Sequence, residues 1–297
     1  MILHIIIPVH NNLNLTIKCL EHIKNIESID YKIYIIDDGS TDGTSSWVST
    51  NRPDINLIVG DGSLWWTGAI HLGVIEVLRI ANNNDYIMSL NNDVFLQKNT
   101  LNELIYFSNN QNRKCICNAL SVDEFDGRII SSGSRVLSWF FNLNYHPLHN
   151  KNIQSIDSFY PIEVDMLTGR CVLYPVEVFS LVGNFDYLRF PHYGGDSEFT
   201  IRAKRNGYAL YIIPRSIALV NNENTGLNSM AIKLSYKEKL LSLFIIRSSS
   251  NLKYRTRFAL HVPPIYARPS YFLIMVLKIF TQIFLGNFFV FKKVPKL

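Results

Sequence analysis

The order strand, helix, strand at the start of the chain constrains its fold more than any other feature. Ile5–Val9 is a short apolar run that a polar segment ends, and Lys32–Ile36 is a second such run. Between them, Leu13–Ile26 carries apolar residues at the spacing of a helix. Two strands joined by a helix in this way lie parallel in one sheet. The pattern therefore predicts an α/β fold with a mostly parallel sheet flanked by helices.

Polar residues follow the ends of the predicted strands. Asp37 and Asp38 follow Lys32–Ile36, and Asn91–Asp93 follow the apolar strand Tyr86–Leu90. In a parallel sheet these groups lie at one edge, where α/β proteins bind ligands. A carboxylate there can hold a divalent cation and, through it, phosphate oxygens. The alternative is a strand-terminating turn, because Asn and Asp are common in turns.

Two further segments carry residue types suited to a site. Gly60–Ala69 is a glycine-rich loop before an apolar helix, where backbone N–H groups can approach a phosphate. Asp196 lies in a glycine-flanked loop before the helix Phe199–Asn206 and can act as a general base. The alternative is that Asp196 or Ser197 only caps that helix.

Charge divides the chain into an acidic body and a basic tail. Residues 1–238 contain 19 Lys or Arg and 24 Asp or Glu, whereas residues 239–297 contain ten Lys or Arg and no acid. Such asymmetry indicates that the tail meets an anionic surface. We expect one domain over residues 1–235 and a helical, membrane-associating extension over residues 236–297.

The tail contains a long apolar segment, Tyr271–Phe291, that a few polar residues interrupt. A helix of this length would be about 30 Å long, enough to cross the hydrocarbon core of a membrane. A basic, aromatic helix lying in the membrane interface fits the sequence equally well. A third possibility is a buried helix of the soluble fold. We expect a membrane-surface role.

The four cysteines, Cys19, Cys115, Cys117 and Cys171, form no disulfide framework. We expect reduced, mostly buried thiols in a protein at the inner face of the cell membrane. The first residues read as a strand and not as a secretory signal, which agrees with that expectation.

Taken in order, the motifs resemble those of the inverting, nucleotide-sugar-dependent glycosyltransferases of family 2, which have the GT-A fold. The resemblance covers about residues 3–220 and rests on Ile6–Asn11, Ile36–Thr44, Asn91–Asp93, Leu167–Arg170, Tyr193–Phe199 and Arg202–Tyr208. The tryptophan pair of the glycine-rich loop is similar to the rhamnosyltransferase-like branch, whose members build bacterial surface polysaccharides.

The resemblance implies a role for each matching residue. Asp196 would be the catalytic base and Asp93 the metal ligand, with Mg²⁺ or Mn²⁺ as the cofactor. The acceptor would be bound by Tyr193 and Glu198. The nucleotide sugar would be bound by Pro8, His10, Asp37, Asp38, Trp66, Asn92, Thr168, Gly169 and Arg170.

One position departs from the family pattern, since Asn91 stands where the family's D-x-D motif has its first Asp. The site then offers one charged ligand, so its metal affinity should be modest. We expect an enzyme that moves a sugar, with rhamnose as a candidate, from a dTDP- or UDP-sugar to a hydroxyl of a lipid-linked O-antigen or capsule glycan. Its partners would be the donor, the glycan acceptor and an anionic membrane, and not nucleic acid. The alternatives are a sugar-phosphate nucleotidyltransferase and a catalytically silent membrane-attached subunit.

Overall fold

The structure is a computed structural model that describes residues 1–24, 29–221 and 236–284. Its residues separate into two units. The first unit consists of residues 1–135 and 145–223, and the second consists of residues 136–144 and 224–297. The segment 136–144 thus groups with the C-terminal residues, which the sequence did not predict.

The strands of the described chain are β1 (Leu3–Val9), β2 (Tyr31–Asp37), β3 (Asn56–Val59), β4 (Tyr86–Leu90), β5 (Val94–Leu96), β6 (Cys115–Asp123), β7 (Ile129–Ser131), β8 (Arg135–Ser138), β9 (Leu143–Tyr145), β10 (Ile162–Glu163), β11 (Cys171–Pro175) and β12 (Ala209–Val220). The helices are α1 (Leu13–Lys24), α2 (Thr44–Asn51), α3 (Trp65–Leu78), α4 (Thr100–Asn109), α5 (Glu177–Val182), α6 (Gly195–Arg205), α7 (Tyr236–Ser242), α8 (Leu252–His261) and α9 (Arg268–Phe284).

The main sheet has the order β10-β12-β6-β11-β4-β1-β2-β3, with β5 paired to β12 and β7 paired to β6. In the central part, β12, β6, β4, β1, β2 and β3 all run in one direction. Only β11 opposes them, inserted antiparallel between β6 and β4. The predicted mostly parallel α/β sheet is therefore confirmed.

Alternating side chains of the buried strands form two cores, one on each face of the sheet. In β1, Ile5 and Ile7 join the core that contains Leu20 of α1 and Leu104 of α4. Ile6 joins the other core, with buried residues of α3, α5 and α6. Helices thus cover both faces, and the strand ends at the edge of the sheet are left to loops.

The four cysteines are free and buried, as the sequence predicted.

The described helices of the second unit form a small core of their own. Met275, Ile279 and Ile283, spaced one turn apart on α9, pack with Ala259 of α8. No helix in residues 1–24, 29–221 and 236–284 is long and apolar enough to cross a membrane. The end of the predicted Tyr271–Phe291 helix lies outside the described residues, so the structure gives α9 as Arg268–Phe284.

A test of the packing uses Gly73 of α3, since a Cβ there would lie 2.5 Å from the Cγ2 atom of Ile6 in the central strand. Ala favours a helix over Gly by roughly 1 kcal/mol, but overpacking a core costs about 1–3 kcal/mol. We expect Gly73→Ala to lower the free energy of unfolding in urea. Gly68→Ala is the control, because its Cβ would come no closer than 3.3 Å to a neighbour. The packing argument is wrong if Gly73→Ala is as stable as the control.

Candidate active site

The predicted site residues gather where β1, β2 and β4 end. These strands are adjacent and parallel, in the order β4-β1-β2. Asp37 ends β2, while Asn91 follows β4 two strand spacings away, roughly 10 Å. The predicted convergence at one sheet edge is therefore present, and the intervening strand brings Pro8 and His10 to the same edge.

Two carboxylates on this edge organise the neighbouring loops. Asp37 is fully buried and accepts hydrogen bonds from the Ser40 N–H, at 3.0 Å, and from the Ser45 hydroxyl. Asp38 reaches further, into the glycine-rich loop: Oδ1 accepts from the N–H groups of Gly62 (2.8 Å) and Leu64 (3.1 Å), and Oδ2 accepts from that of Trp65 (2.8 Å). His10 bonds through Nδ1 to the Asp38 carbonyl oxygen, at 2.6 Å. These groups shape the loops, and their binding of a nucleotide stays a prediction.

The segment Asn91–Asp93 is held in place by three different elements. The Trp66 indole N–H donates to Asn91 Oδ1 at 2.8 Å. The Asn91 N–H donates to the Arg170 carbonyl oxygen at 3.0 Å. Asn92 instead donates through Nδ2 to the Thr16 hydroxyl of α1, at 3.0 Å. Trp66 and Arg170 therefore fix Asn91, two residues before Asp93, whereas the side chain of Asn92 bonds to α1. The predicted contact of Asn92 with the donor stays a prediction.

Asp93 is the candidate metal ligand, and its surroundings fit that role. Its side chain is buried, and its Oδ1 atom has no hydrogen-bond partner in the described part of the chain. Nη1 of Arg170 is likewise buried without a partner there. Burial raises the pKa of Asp93 above its ordinary value, although the Arg170 charge opposes the shift. An unpaired anionic oxygen and an unpaired guanidinium nitrogen are the groups that a cation and a diphosphate would satisfy.

The metal would receive few ligands from the protein. The described residues contain no group of three or more His, Cys, Asp or Glu side chains that could hold an ion. A site with one carboxylate must complete its coordination with water and substrate oxygens, which is common for Mg²⁺. This agrees with the expectation of modest metal affinity.

The segment Thr168–Arg170 leads into β11 and connects the two halves of the site. A Cβ on Gly169 would lie 2.2 Å from two carbons of the Trp66 ring, so only glycine fits against that ring. The Gly169 N–H donates to Asp196 Oδ2 at 3.0 Å, and its carbonyl oxygen accepts from Ser89 at 3.0 Å. Thr168 faces the other way, with its hydroxyl 2.8 Å from that of Ser131.

Asp196 lies in the first turn of α6, with Oδ1 also accepting from the Ser197 N–H at 2.7 Å. Gly194, in the left-handed region at φ 86°, occupies the cap position instead. The capping alternative for Asp196 is therefore wrong. Burial raises the pKa of Asp196, and the N–H groups of Gly169 and Ser197 limit the rise. A carboxylate made more basic by burial is suited to accept a proton.

The two predicted acceptor-binding residues differ in position. Tyr193 lies close enough to Arg170 and Asp196 for both charges to act on its phenol, and burial raises its pKa. Glu198 instead forms a bidentate ion pair with Arg202, at 2.7 and 2.8 Å. Arg202 also donates to the carbonyl oxygens of Val182 and Asn184. The carboxylate of Glu198 thus serves to hold α6 to the end of α5, and this geometry does not support its predicted acceptor contact.

Sequence reasoning gave no role to Trp65 or His192, whose rings lie 5.6 Å apart beside the site. The adjacent tryptophans Trp65 and Trp66 could have pointed to Trp65, but the sequence does not show which of the two rings packs against the core. The sequence also did not predict the hydrogen bond between Asn91 and Trp66, because Asn91 was noted only as a departure from the D-x-D motif.

The burial of Asp93 generates a pH-dependent prediction. Asp93 binds its proton more tightly in the folded chain than in the unfolded one, so stability falls as pH rises from the ordinary value of 3.8 through the raised pKa. Without divalent cations, Asp93→Asn should therefore raise the free energy of unfolding in urea at pH 7.5 by roughly 1–3 kcal/mol. The gain should shrink at pH 4.5. Asp38→Asn, the matched control, should be destabilising at both pH values, because an amide NH₂ would face a backbone N–H. Equal effects of both substitutions would contradict this account.

Comparison with known proteins agrees with this geometry. The sequence profile of Glycosyl transferase family 2 matches residues 4–181. No curated protein sequence matches the chain. Among solved structures, a mannosyltransferase from Pyrobaculum calidifontis in complex with GDP-Man and Mn²⁺ is 13% identical, with a TM-score of 0.55 over 93% of this chain and 74% of that one.

Two more solved structures share the fold. TarS residues 1–349 from S. aureus, in complex with UDP-GlcNAc, is 15% identical, with a TM-score of 0.54 over 95% of this chain and 82% of that one. GalNAc-T7, with UDP, GalNAc and Mn²⁺, is 14% identical, with a TM-score of 0.60 over 94% of this chain and 56% of that one. At these identities the likeness concerns the fold. The profile match covers more than half of the chain, and the chain therefore belongs to Glycosyl transferase family 2: it is a glycosyltransferase with a GT-A fold.

Proposed function

We propose that the protein transfers a sugar, with inversion, from a dTDP- or UDP-sugar to a hydroxyl group of a glycan acceptor. The observation that carries this proposal is a line of contacts from Asp196 through Gly169 and Trp66 to Asn91, which lies two residues before Asp93. These contacts connect Asp196, a carboxylate suited to accept a proton, with the segment of Asp93, a carboxylate suited to hold a metal ion against the leaving diphosphate. Family membership favours sugar transfer over the two alternatives considered from the sequence.

In this proposal the leaving group lies at Asp93 and Arg170. Asp93 would hold Mg²⁺ or Mn²⁺, and the cation supplies neutralisation of the charge that grows on the departing diphosphate. Arg170, whose Nη1 atom is buried without a partner in the described chain, would donate to a phosphate oxygen. Mn²⁺ accompanies the nucleotide or nucleotide sugar in two of the similar structures, which supports a divalent ion here.

On the other side of the reacting carbon, Asp196 would remove the proton from the acceptor hydroxyl. The oxygen then attacks the anomeric carbon opposite the nucleotide, and the bond to the diphosphate breaks. A general base is typically worth about 10²–10⁴-fold in rate. Its precise position matters because the attack is in line with the bond that breaks. The hydrogen bonds from Gly169 and Ser197 provide that position.

We further propose that the acceptor is a lipid-linked bacterial surface glycan, O-antigen or capsule, and that rhamnose is a candidate donor sugar. The enzyme would work at the inner face of the cell membrane, with residues 1–235 as the catalytic domain and residues 236–297 as the membrane-associating extension. Two features support membrane association: the ten basic residues after position 238, and a stripe of exposed apolar residues along α9. The stripe consists of Leu273, Val276, Leu277 and Phe280.

The catalytic assignment is tested by Asp196→Asn, assayed by nucleotide release from a panel of dTDP-, UDP- and GDP-sugars. The wild type should release nucleotide with Mg²⁺ or Mn²⁺ and not with EDTA. The variant should lose at least 10²-fold in transfer, because the amide cannot accept the proton. Its nucleotide affinity should change less than threefold. Full transfer by the variant would disprove the base assignment, and full activity in EDTA would disprove the metal.

The membrane proposal is tested with the double substitution Leu273→Ser and Phe280→Ser, at side chains 60% and 55% exposed. Binding to anionic phospholipid vesicles should weaken at least tenfold, since burying such side chains contributes about 1.5–3 kcal/mol each. Neutral vesicles should bind the wild type poorly, since each Lys or Arg near an anionic surface adds about 1 kcal/mol. Ile80→Ser, at an exposed apolar residue of the other unit, is the control. Co-sedimentation that is the same for both variants would contradict the proposal.

A further inference from the structure

Trp65 has a backbone conformation that a bulky side chain rarely adopts. Among the described residues, five non-glycine residues have a positive φ; four are asparagines, and the fifth is Trp65, at φ 57°. Asparagine tolerates this region, whereas a large aromatic residue there is strained. Such strain persists only where the surroundings fix it, and it concentrates at functional sites. Here Asp38 fixes it by accepting the Trp65 N–H.

The unusual backbone sends two adjacent tryptophans to different places. The Trp66 ring lies against Gly169 and meets the edge of Phe185, with 6.1 Å between ring centroids. The Trp65 ring lies beside His192, at 5.6 Å and an interplanar angle of 57°. Both rings are partly exposed, but Trp66 packs against the hydrophobic core, whereas Trp65 lies next to a second loop.

That second loop leads directly to Asp196. The Thr67 N–H of α3 donates to the Pro191 carbonyl oxygen at 3.0 Å, which ties the loop to the helix that begins at Trp65. The His192 ring then contacts the Tyr193 ring edge-on, at 4.6 Å. A row of three aromatic rings, Trp65, His192 and Tyr193, thus runs toward the catalytic carboxylate. All three are partly exposed.

We propose that this row, with Trp65 as its main surface, is a platform for a pyranose ring of the acceptor. An aromatic ring presents an apolar face to the C–H groups of a sugar, and binding sites combine such surfaces with a few polar groups that set orientation. The sugar would lie with one hydroxyl at Asp196. The inference deepens the proposed function and rests on its assignment of Asp196 to the acceptor side.

Substitution of Trp65 can remove the ring without adding strain, since glycine adopts a positive φ freely. Trp65→Gly therefore tests the contribution of the ring to binding. Urea unfolding should show that the variant is as stable as the wild type. Trp65→Phe keeps an aromatic face at the same backbone geometry. Trp139→Phe, in the other unit, is the control for loss of a tryptophan.

The acceptor is tested with methyl pyranosides of glucose, galactose, N-acetylglucosamine and rhamnose, in the presence of UDP or dTDP and Mn²⁺. Saturation-transfer NMR with irradiation of aromatic protons should label one face of at least one glycoside bound to the wild type. Trp65→Gly should lose that signal and raise the Kd for the glycoside at least tenfold, whereas its nucleotide Kd should change less than threefold. The affinity of Trp65→Phe for the glycoside should stay within threefold of the wild-type value.

The outcomes separate this inference from the proposed function. A saturation-transfer signal in Trp65→Gly equal to that of the wild type would overturn the platform. An equal loss of affinity for the nucleotide and for the glycoside would also overturn it. Absence of signal from every glycoside on the wild type would overturn it as well. Glycoside binding through Trp65 in a protein that releases no nucleotide from any donor would support the platform while the proposed function fails. Asp196→Asn should retain the glycoside signal and lose transfer.

Discussion

The contact between Gly169 and the ring of Trp66 is the constraint on which the site depends. Because the two ring carbons occupy the place of a Cβ, the backbone of Gly169 lies against the indole, and its N–H meets Asp196. The same indole donates to Asn91, which follows β4 two residues before Asp93. One side chain of α3 thus contacts both the segment that bonds to Asp196 and the segment that contains Asp93. A larger residue at position 169 would have to displace the Trp66 ring or the N–H group that Asp196 accepts.

The electrostatics of the edge divide its carboxylates into two kinds. Asp37 and Asp38 are buried but fully supplied with N–H and O–H donors, so they stabilise the loops around them. Asp93 is buried with an unpartnered Oδ1 atom, whereas Asp196 is partly exposed and accepts two N–H groups, and desolvation raises the pKa of both. Buried charge without full pairing lowers stability, and folds keep it where a ligand or a reaction needs it. The two well-bonded carboxylates therefore build the scaffold that holds the other two.

The described chain also separates tasks between its two units. The first unit contains the sheet and all of the candidate site residues. The second contains a short helical core and the exposed apolar stripe of α9, and its sequence after position 238 has ten Lys or Arg residues and no acidic residue. Its segment 136–144 comes from the middle of the sequence: Trp139 contacts Tyr271 of α9, and Lys278 donates to the Asn142 carbonyl oxygen. The boundary predicted from composition, at residue 235, leaves segment 136–144 in the first domain. Its packing with the C-terminal residues is a long-range contact, and the local sequence of the segment does not indicate it.

The sequence by itself determined the α/β sheet, the polar strand ends, the family motifs and the division between an acidic body and a basic tail. Periodicity is a local property and the order of predicted elements can be followed along the chain, so Ile5–Val9 and Tyr86–Leu90 could be predicted as buried strands of a parallel sheet. Tertiary structure alone decided which groups meet. It paired Glu198 with Arg202, bonded Asn92 to α1, and joined Asn91 to Trp66. These outcomes depend on contacts between residues far apart in sequence, which the spacing of residues along one strand or helix does not encode.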